Sequence, residues 1–263
     1  MNRTSDQKDE FVLKPCIVTM MDVLGSSDLL KNSTEEQKSR YLRNLQNMFL
    51  TAGKYYSSDQ IKTFSDNILI HDNDNDDNLS KMINSIAQMQ FQSVSNLGLV
   101  LRGAVASGGL YRSNIGSDFD DFTIGDSLVT AHELESNLAK TPRIIVQEEL
   151  AKRFMDGNDD DCLLRRQGEE CYIDYLQTAI TDGFPDGEKL DVHRNALIDR
   201  IRRNNNNIKQ EKWDAIRMKD VWCLSYHNDF CSRYDAEEFR IDFTEAFDRE
   251  GSRIEIIIEE GKT

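Results

Sequence analysis

The chain has 263 residues, of which 38% are hydrophobic and 30% charged, so it is long enough and apolar enough to bury a core. Its formal net charge of -15 excludes the basic surface typical of nucleic-acid-binding proteins and disfavours binding to anionic membranes. Its five cysteines form no C-x-x-C pair, which argues against a disulfide framework and a structural zinc site. Because the N-terminus is polar and no stretch approaches the roughly 20 apolar residues that cross a bilayer, we expect a cytoplasmic protein that binds neither nucleic acid nor membrane.

The first hundred residues predict strands that alternate with helices. Residues 1–10 are expected to form a flexible arm, followed by a buried strand within Phe11–Val23. Ser33 and Glu36 form a capping-box pattern at the start of a helix predicted from about Thr34 to Tyr55. The next segments are predicted as a hairpin over Ile61–Ile70, an acidic loop over His71–Asn78 and an amphipathic helix over Met82–Leu97.

The pattern continues with a strand over Leu99–Leu110 and four short elements, which are predicted over Phe122–Ile124, Asp126–Ala139, Pro142–Val146 and Gln147–Phe154. The resulting order predicts an α+β fold, a palm-like ferredoxin-type core of residues 11–156 with helices over a sheet. Residues 157–263 are expected to form a C-terminal α/β extension packed on this core. Its tract Asn204–Asn207 is interpreted as a polar turn or a break between helices.

Two aspartates stand at positions suited to a metal ion. Asp22 ends the first apolar strand beside the turn Gly25-Ser26-Ser27, and Asp66 occupies the turn of the predicted hairpin. In a palm-type sheet these two points lie on neighbouring strands, about 5 Å apart. Carboxylates that close repel each other unless a cation lies between them, and such oxygen ligands suit Mg²⁺ or Mn²⁺. An aspartate after a strand is also a common helix cap or turn former, so spacing alone leaves both readings open.

The chain contains four further segments of interest, Met21–Ser27, Lys62–Asp66, Arg102–Gly108 and Phe122–Ser136. In this order they resemble motifs of class III adenylate and guanylate cyclases, and the likeness spans roughly Val12 to Leu150. Together with Cys171–Leu176 and Trp222–Asn228, they are similar to the bacterial pyrimidine cyclases of the Pycsar antiphage system, which make cyclic UMP or cyclic CMP.

This resemblance implies a complete site. Asp22, Asp66 and the backbone carbonyl of Val23 would bind two Mn²⁺ or Mg²⁺ ions, with the two aspartates as the catalytic residues. The residues implied in substrate binding are Gly25, Ser26 and Ser27 for the phosphates, Lys62 for the base, and Arg102, which either faces phosphate or supports the sheet. Family members act as homodimers whose sites are completed by the partner chain, and a separate cyclic-nucleotide effector reads the product.

Three positions depart from the class III pattern. The helix residues that are usually Asn and Arg correspond to Val129 and Glu133, and the position at which many adenylate cyclases read adenine is Phe122. A hydrophobic residue there cannot make the polar contact to adenine. These departures favour a pocket that is specific for pyrimidines. A uridylate cyclase is our first choice and a cytidylate cyclase the second, a choice that the pocket residues do not decide. A purine cyclase and a non-catalytic, nucleotide-binding dimer module remain as alternatives.

Overall fold

The computed structural model describes residues 12–26, 30–31, 33–113, 122–157, 163–207 and 213–247. The predicted arm of residues 1–10, Ser27 and the acidic segment Asn158–Asp161 lie outside these ranges. The first half of the described chain runs through a β-α-β-β-α-β unit, composed of β1 (Lys14–Val23), α1 (Glu35–Ala52), β2 (Ile61–Phe64), β3 (Asn67–Asn73), α2 (Asp76–Leu97) and β4 (Leu101–Ser113).

These four strands lie in the order β2-β3-β1-β4, and each is antiparallel to its neighbours. This is the ferredoxin-like arrangement, so the predicted α+β class is confirmed. β1 is therefore central, and its last residues pair with β3 on one side and β4 on the other. Gly103 permits this close pairing, because a Cβ atom there would lie 2.1 Å from the Met20 carbonyl oxygen.

The two faces of the sheet are covered by different helices. Ile17 and Met21 of β1 face a large apolar core that they share with buried side chains of α1 and α2. Cys16 and Val18 face the other side, where they pack with Ala131 of a later helix. Since side chains alternate along a strand, Asp22 lies on this second face.

The second half of the chain extends the sheet and the core. It contains β5 (Phe122–Ile124), α3 (Asp126–Leu138), β6 (Ile144–Val146), α4 (Glu148–Asp156), β7 (Leu164–Gln167), β8 (Glu170–Ile173), β9 (Ile180–Thr181), β10 (Phe184–Pro185), α5 (Gly187–Asn207), α6 (Trp213–Arg233) and α7 (Phe243–Phe247). β6, β8 and β7 continue the sheet beyond β4, and β9 pairs with β10 separately. Apolar residues of α5 and α6 belong to the same core as α1 and α2. The boundary at residue 157 itself stays a prediction.

Three local expectations differ from the structure. The cap of α1 is Thr34 with Gln37 rather than Ser33 with Glu36, one residue further along. The predicted acidic loop His71–Asn78 is mostly regular structure, because β3 continues to Asn73 and Asn75 caps α2. The acidic residues that follow Asn75 are favourable in the first turn of a helix. The tract Asn204–Asn207 forms the end of α5 rather than a turn.

A search of the described helices finds none whose length and apolar character would let it cross a bilayer.

Candidate metal and nucleotide site

Asp22 lies near the end of β1, where it is opposite Asn67 of β3 and Arg102 of β4. Asp66 precedes Asn67 in the tight turn between β2 and β3. Ser65 takes a left-handed conformation in this turn, with φ of 58°. The antiparallel register therefore brings the two aspartates together, and their carboxyl groups share a hydrogen bond.

The two carboxyl groups hold protons with different affinity. Burial, and then the neighbouring charge of Asp66, raises the pKa of Asp22 to about 6. Burial also acts to raise the pKa of Asp66, but hydrogen bonds from Ser26 and Ser65 outweigh it and lower that pKa. The first proton taken up by the pair therefore resides on Asp22. A divalent cation between the two groups would relieve the same repulsion that retains this proton.

The turn after β1 supports Asp66 with a hydroxyl group. Gly25 has φ of 88°, a conformation that favours glycine, and it reverses the chain after Val23 and Leu24. This brings the buried Ser26 to the pair, where its hydroxyl donates a hydrogen bond to the Asp66 carboxylate. Ser26 was predicted as a backbone donor to phosphate, so the contact of its side chain with Asp66 is an additional finding.

Arg102 joins the aspartate pair to helix α3. Its Nε and Nη2 atoms each donate to Oδ2 of Asp22 at 3.3 Å. Its Nε atom also lies 3.0 Å from Oε1 of Glu135, a side chain of α3 that is only 13% exposed. The position of Arg102 is compatible with both alternatives given above, a structural role and a contact with phosphate. It pairs with carboxylates of β1 and α3, and it places a positive charge beside Asp22.

Two other predicted substrate residues, Lys62 and Phe122, lie at very different distances from the aspartate pair. Lys62 is opposite Leu69, which is opposite Met20, so Lys62 lies on the same face as Asp22 and two residues along the ladder. Phe122 begins β5 opposite Ser113 of β4. Ser113 is eleven positions beyond Arg102 along β4, roughly 36 Å of extended strand at about 3.3 Å per residue. Phe122 is therefore not brought to the aspartates of its own chain.

The two helix positions that depart from the class III pattern are both exposed. Val129 and Glu133 lie on α3, and the Val129 side chain has 57% of its surface exposed. Neither supplies a positive charge to the site of its own protomer. The arginine that is usual at the second of these positions is therefore not replaced by another cation at either of them.

Lys219 of α6 is a cation in the electrostatic surroundings of the aspartate pair that the sequence reasoning missed. Its ammonium group interacts electrostatically with Arg102 and Asp22, although it is 197 positions beyond Asp22 in the chain. Burial, followed by repulsion from Arg102 and Arg200, lowers its pKa. No local motif marks this lysine, and the order of the elements after residue 157 does not predict where α6 lies.

The donor set fits a divalent cation that is bound together with a nucleotide. Two carboxylates converge, and within the described residues no third histidine, cysteine, aspartate or glutamate joins them in a metal-binding group. Mg²⁺ is commonly held by one or two carboxylates, with substrate phosphates and water completing the octahedron. The contribution of the Val23 backbone carbonyl stays a prediction.

No family model matches the chain, and no curated protein matches it. Among solved structures, the guanylyl cyclase domain of the RhoGC fusion protein from the aquatic fungus Blastocladiella emersonii is 14% identical, with a TM-score of 0.47 over 61% of this chain and 93% of that one. The adenylyl cyclase CyaB from P. aeruginosa is 18% identical, with a TM-score of 0.46 over 61% and 92%. The guanylate cyclase domain of RhGC from Catenaria anguillulae, solved with GTP, is 13% identical, with a TM-score of 0.47 over 61% and 95%. Identities and TM-scores this low assign no activity to this chain. A proposal about its activity therefore has to be argued from its own residues.

Proposed function

We propose that the chain is a nucleotide cyclase that converts UTP to cyclic UMP and pyrophosphate. The observation that carries this proposal is the convergence of Asp22, near the end of β1, and Asp66, in the turn that leads into the adjacent strand β3 of a ferredoxin-like sheet. Two divalent ions bound there would lower the pKa of the ribose 3′-hydroxyl and offset the charge of the triphosphate. Either Mg²⁺ or Mn²⁺ suits these oxygen ligands.

The chain's own residues hold the metal ligands in place. Ser26 orients the Asp66 carboxylate, and Arg102 fixes Asp22 from the opposite side. In the proposed reaction the 3′-oxygen attacks the α-phosphorus in line and its proton passes to solvent. The bond between the α-phosphorus and the oxygen that bridges to the β-phosphate breaks and releases pyrophosphate. Backbone donors at residues 25–27 and the side chain of Lys62 are proposed to bind the phosphates and the base, respectively.

The preference for a pyrimidine is proposed from the residues that depart from the class III pattern. Phe122 offers no polar group to a purine, and Val129 and Glu133 replace the usual Asn and Arg. UTP is the first substrate we propose and CTP the second. Antiphage defence, a separate effector for the product and a cytoplasmic location are proposed on the resemblance to the Pycsar cyclases alone.

The dimensions of β4 support a homodimer. Phe122 and the aspartate pair lie toward opposite ends of this strand, so a site that contains both needs two protomers. Exposed apolar side chains are available for such an interface, since Phe64 is 84% exposed, and Ile124 and Val129 are more than half exposed. We propose that two chains pair head to tail and form two sites.

The experiment is to incubate the purified protein with Mn²⁺ and each of ATP, GTP, CTP and UTP, and to identify the products by mass. We expect cyclic UMP, and we expect its rate to fall at least roughly 100-fold in Asp66→Asn, since a preorganised charge is lost without a change in shape. Asp182→Asn is the matched control, because Asp182 also lies in a tight turn between two strands but belongs to the separate β9–β10 pair.

If cyclic CMP is the main product, CTP rather than UTP is the substrate. Cyclic AMP or cyclic GMP would contradict the pyrimidine preference and leave the metal site standing. Metal-dependent nucleotide binding without any cyclic product would favour the non-catalytic module. Equal activity in Asp66→Asn and Asp182→Asn would contradict the assignment of the site.

A further inference from the structure

Asn67 lies beside the aspartate pair, and its side-chain amide forms no hydrogen bond within the described part of the chain. It follows Asp66 directly, and as the first residue of β3 it lies opposite Asp22 of β1. Residues that face each other across an antiparallel ladder project to the same side of the sheet, with Cβ atoms about 5 Å apart. The Asn67 side chain therefore stands on the face of Asp22, next to the proposed metal ions.

The sheet is open around Asn67. Phe64, its cross-strand neighbour on the other side, belongs to the edge strand β2 and is itself 84% exposed. Asn67 is also exposed, whereas α3 packs over β1 and β4 on the same face. A molecule bound at Asp22 and Asp66 therefore has access to the Asn67 amide.

The two cross-strand neighbours of Asp22 differ in what they offer to a ligand. Arg102, on β4, already donates to Asp22 and lies against Glu135. Asn67, on β3, carries an amide with two N–H donors and one carbonyl oxygen. Metal ions held by two carboxylates bind some oxygens of a phosphate group, and the remaining oxygens need hydrogen-bond donors. Asn67 offers such donors beside the proposed metal ions.

We propose that the Asn67 amide donates a hydrogen bond to a non-bridging oxygen of the α-phosphate of the nucleotide bound at Asp22 and Asp66. The α-phosphate is chosen over the β- and γ-phosphates because the 3′-oxygen attacks it at the metal ions, and Asn67 is the cross-strand neighbour of a proposed metal ligand. This inference rests on the proposed function, because it concerns the same site.

The test is equilibrium binding of nucleotides that cannot cyclise. The four 3′-deoxynucleoside triphosphates are titrated into the protein by calorimetry with saturating Mg²⁺, and the tightest is compared with inorganic pyrophosphate, which lacks the α-phosphate. In Asn67→Ala we expect the triphosphate Kd to rise roughly 10-fold, the lower end of the range for a hydrogen bond to a charged group. The pyrophosphate Kd should change less than about threefold, because no such bond is lost.

Asn73→Ala is the matched control. Asn73 is the last residue of β3 and is exposed on the same face as Asn67, but it lies opposite Cys16, toward the other end of β1. It is six positions beyond Asn67, about 20 Å of extended strand, so its loss should leave both Kd values unchanged. Asn67→Ala should also leave the melting temperature of the ligand-free protein unchanged, because the exposed amide has no partner within the described residues.

Asn67→Asp distinguishes a contact with phosphate from a contact with metal. An aspartate keeps the shape of the side chain and would keep a metal ligand, but it offers no N–H donor and its charge repels phosphate. We therefore expect Asn67→Asp to raise the triphosphate Kd more than Asn67→Ala does. The Mg²⁺ Kd, measured without nucleotide, should be unchanged in Asn67→Ala.

An unchanged triphosphate Kd in Asn67→Ala would overturn the assignment, whatever the activity of the enzyme. So would a weaker Mg²⁺ affinity in Asn67→Ala that Asn67→Asp restores, since that pattern identifies a metal ligand. An equal loss for triphosphate and pyrophosphate would also overturn it, because the contact would then not be with the α-phosphate. Binding that depends on Asn67 without any cyclic product would support this inference and contradict the proposed reaction. If none of the four triphosphates binds the unmodified protein, both proposals fail.

Discussion

At the scale of single residues, Arg102 is shared between two carboxylates of different function. Asp22 is a proposed metal ligand, whereas Glu135 lies on α3 and is nearly buried. Glu135 therefore offsets part of the positive charge of Arg102, which would otherwise compete with a metal ion for Asp22. Groups that orient the ligands of a metal commonly change its affinity when they are replaced. This makes Glu135 a positioning residue for the proposed site.

We expect Glu135→Gln to raise the Mn²⁺ concentration needed for half-maximal activity roughly 10-fold. The physical reason is that Arg102, without a second carboxylate, pairs more strongly with Asp22 and competes with the metal. The maximal rate at saturating Mn²⁺ should change much less. The measurement is the rate of cyclic nucleotide formation as a function of Mn²⁺ concentration.

Glu149→Gln serves as the control, since Glu149 is an exposed residue of α4. If Glu135→Gln lowers the maximal rate and leaves the metal dependence unchanged, Glu135 does not act through Asp22.

At the scale of elements, a buried chain of hydrogen bonds connects α5 and α6 with the short helices around them. The Tyr175 hydroxyl lies 3.1 Å from Nε2 of His193, Nδ1 of His193 lies 3.0 Å from Nδ1 of His227, and Nε2 of His227 lies 2.9 Å from the Phe239 carbonyl oxygen. Because a carbonyl oxygen only accepts, Nε2 of His227 carries the proton, and its Nδ1 accepts from His193. Nε2 of His193 then accepts from Tyr175. This assignment takes both imidazoles as neutral, in agreement with the pKa of each, which burial lowers.

This chain predicts that the protein loses stability in mild acid. Burial lowers the pKa of His193 well below its usual value and that of His227 to about 4. In the unfolded chain both titrate near 6.5, so the unfolded state takes up protons first as the pH falls. The contribution to stability is complete above about pH 6.5 and decreases from there toward the lower pKa values of the folded protein. The measurement is the melting temperature between pH 8 and pH 4.5.

His193→Phe should weaken this acid dependence. It should also lower the free energy of unfolding at pH 8 by about 1–3 kcal/mol, because Tyr175 and His227 lose a buried partner. His132→Gln, at an exposed histidine, should leave the profile as it is. An acid profile that is the same in His193→Phe and the unmodified protein would show that other groups cause the acid dependence.

The sequence predicts elements better than it predicts how distant elements meet. The hairpin that presents Asp66 is predictable, because a short polar turn separates two apolar runs and the register follows from the ladder. The contact of Ser26 with Asp66 depends on the backbone path through Gly25, and that of Glu135 with Arg102 depends on how α3 lies on the sheet. The position of Lys219 is harder still to predict, because it depends on how α6 packs against α5 through Asp220.

At the scale of the whole molecule, the length of β4 separates two groups of proposed substrate residues. The aspartates, Ser26 and Arg102 cluster at one end of the sheet, and Phe122 lies along the extension of β4 toward the other end. A compact nucleotide cannot contact both groups in one chain. If the chain acts as a closed two-fold dimer, each site takes its metal ligands from one protomer and Phe122 from the other.

Mixing two inactive variants tests this arrangement directly. Asp66→Asn damages the metal half of a site, and Phe122→Glu places a charge in the proposed base pocket. In a mixed dimer one site carries both changes and the other carries neither. Random pairing makes half of the dimers mixed, and each has one intact site of two, so the mixture should recover about a quarter of the unmodified activity.

Mixing Asp66→Asn with Asp22→Asn is the control and should recover nothing, because every site of that mixed dimer keeps one damaged aspartate. The measurement is the rate of cyclic nucleotide formation after unfolding and refolding the variants together. Recovery in neither mixture, with Phe122→Glu inactive by itself and dimeric in solution, would contradict a site shared between protomers.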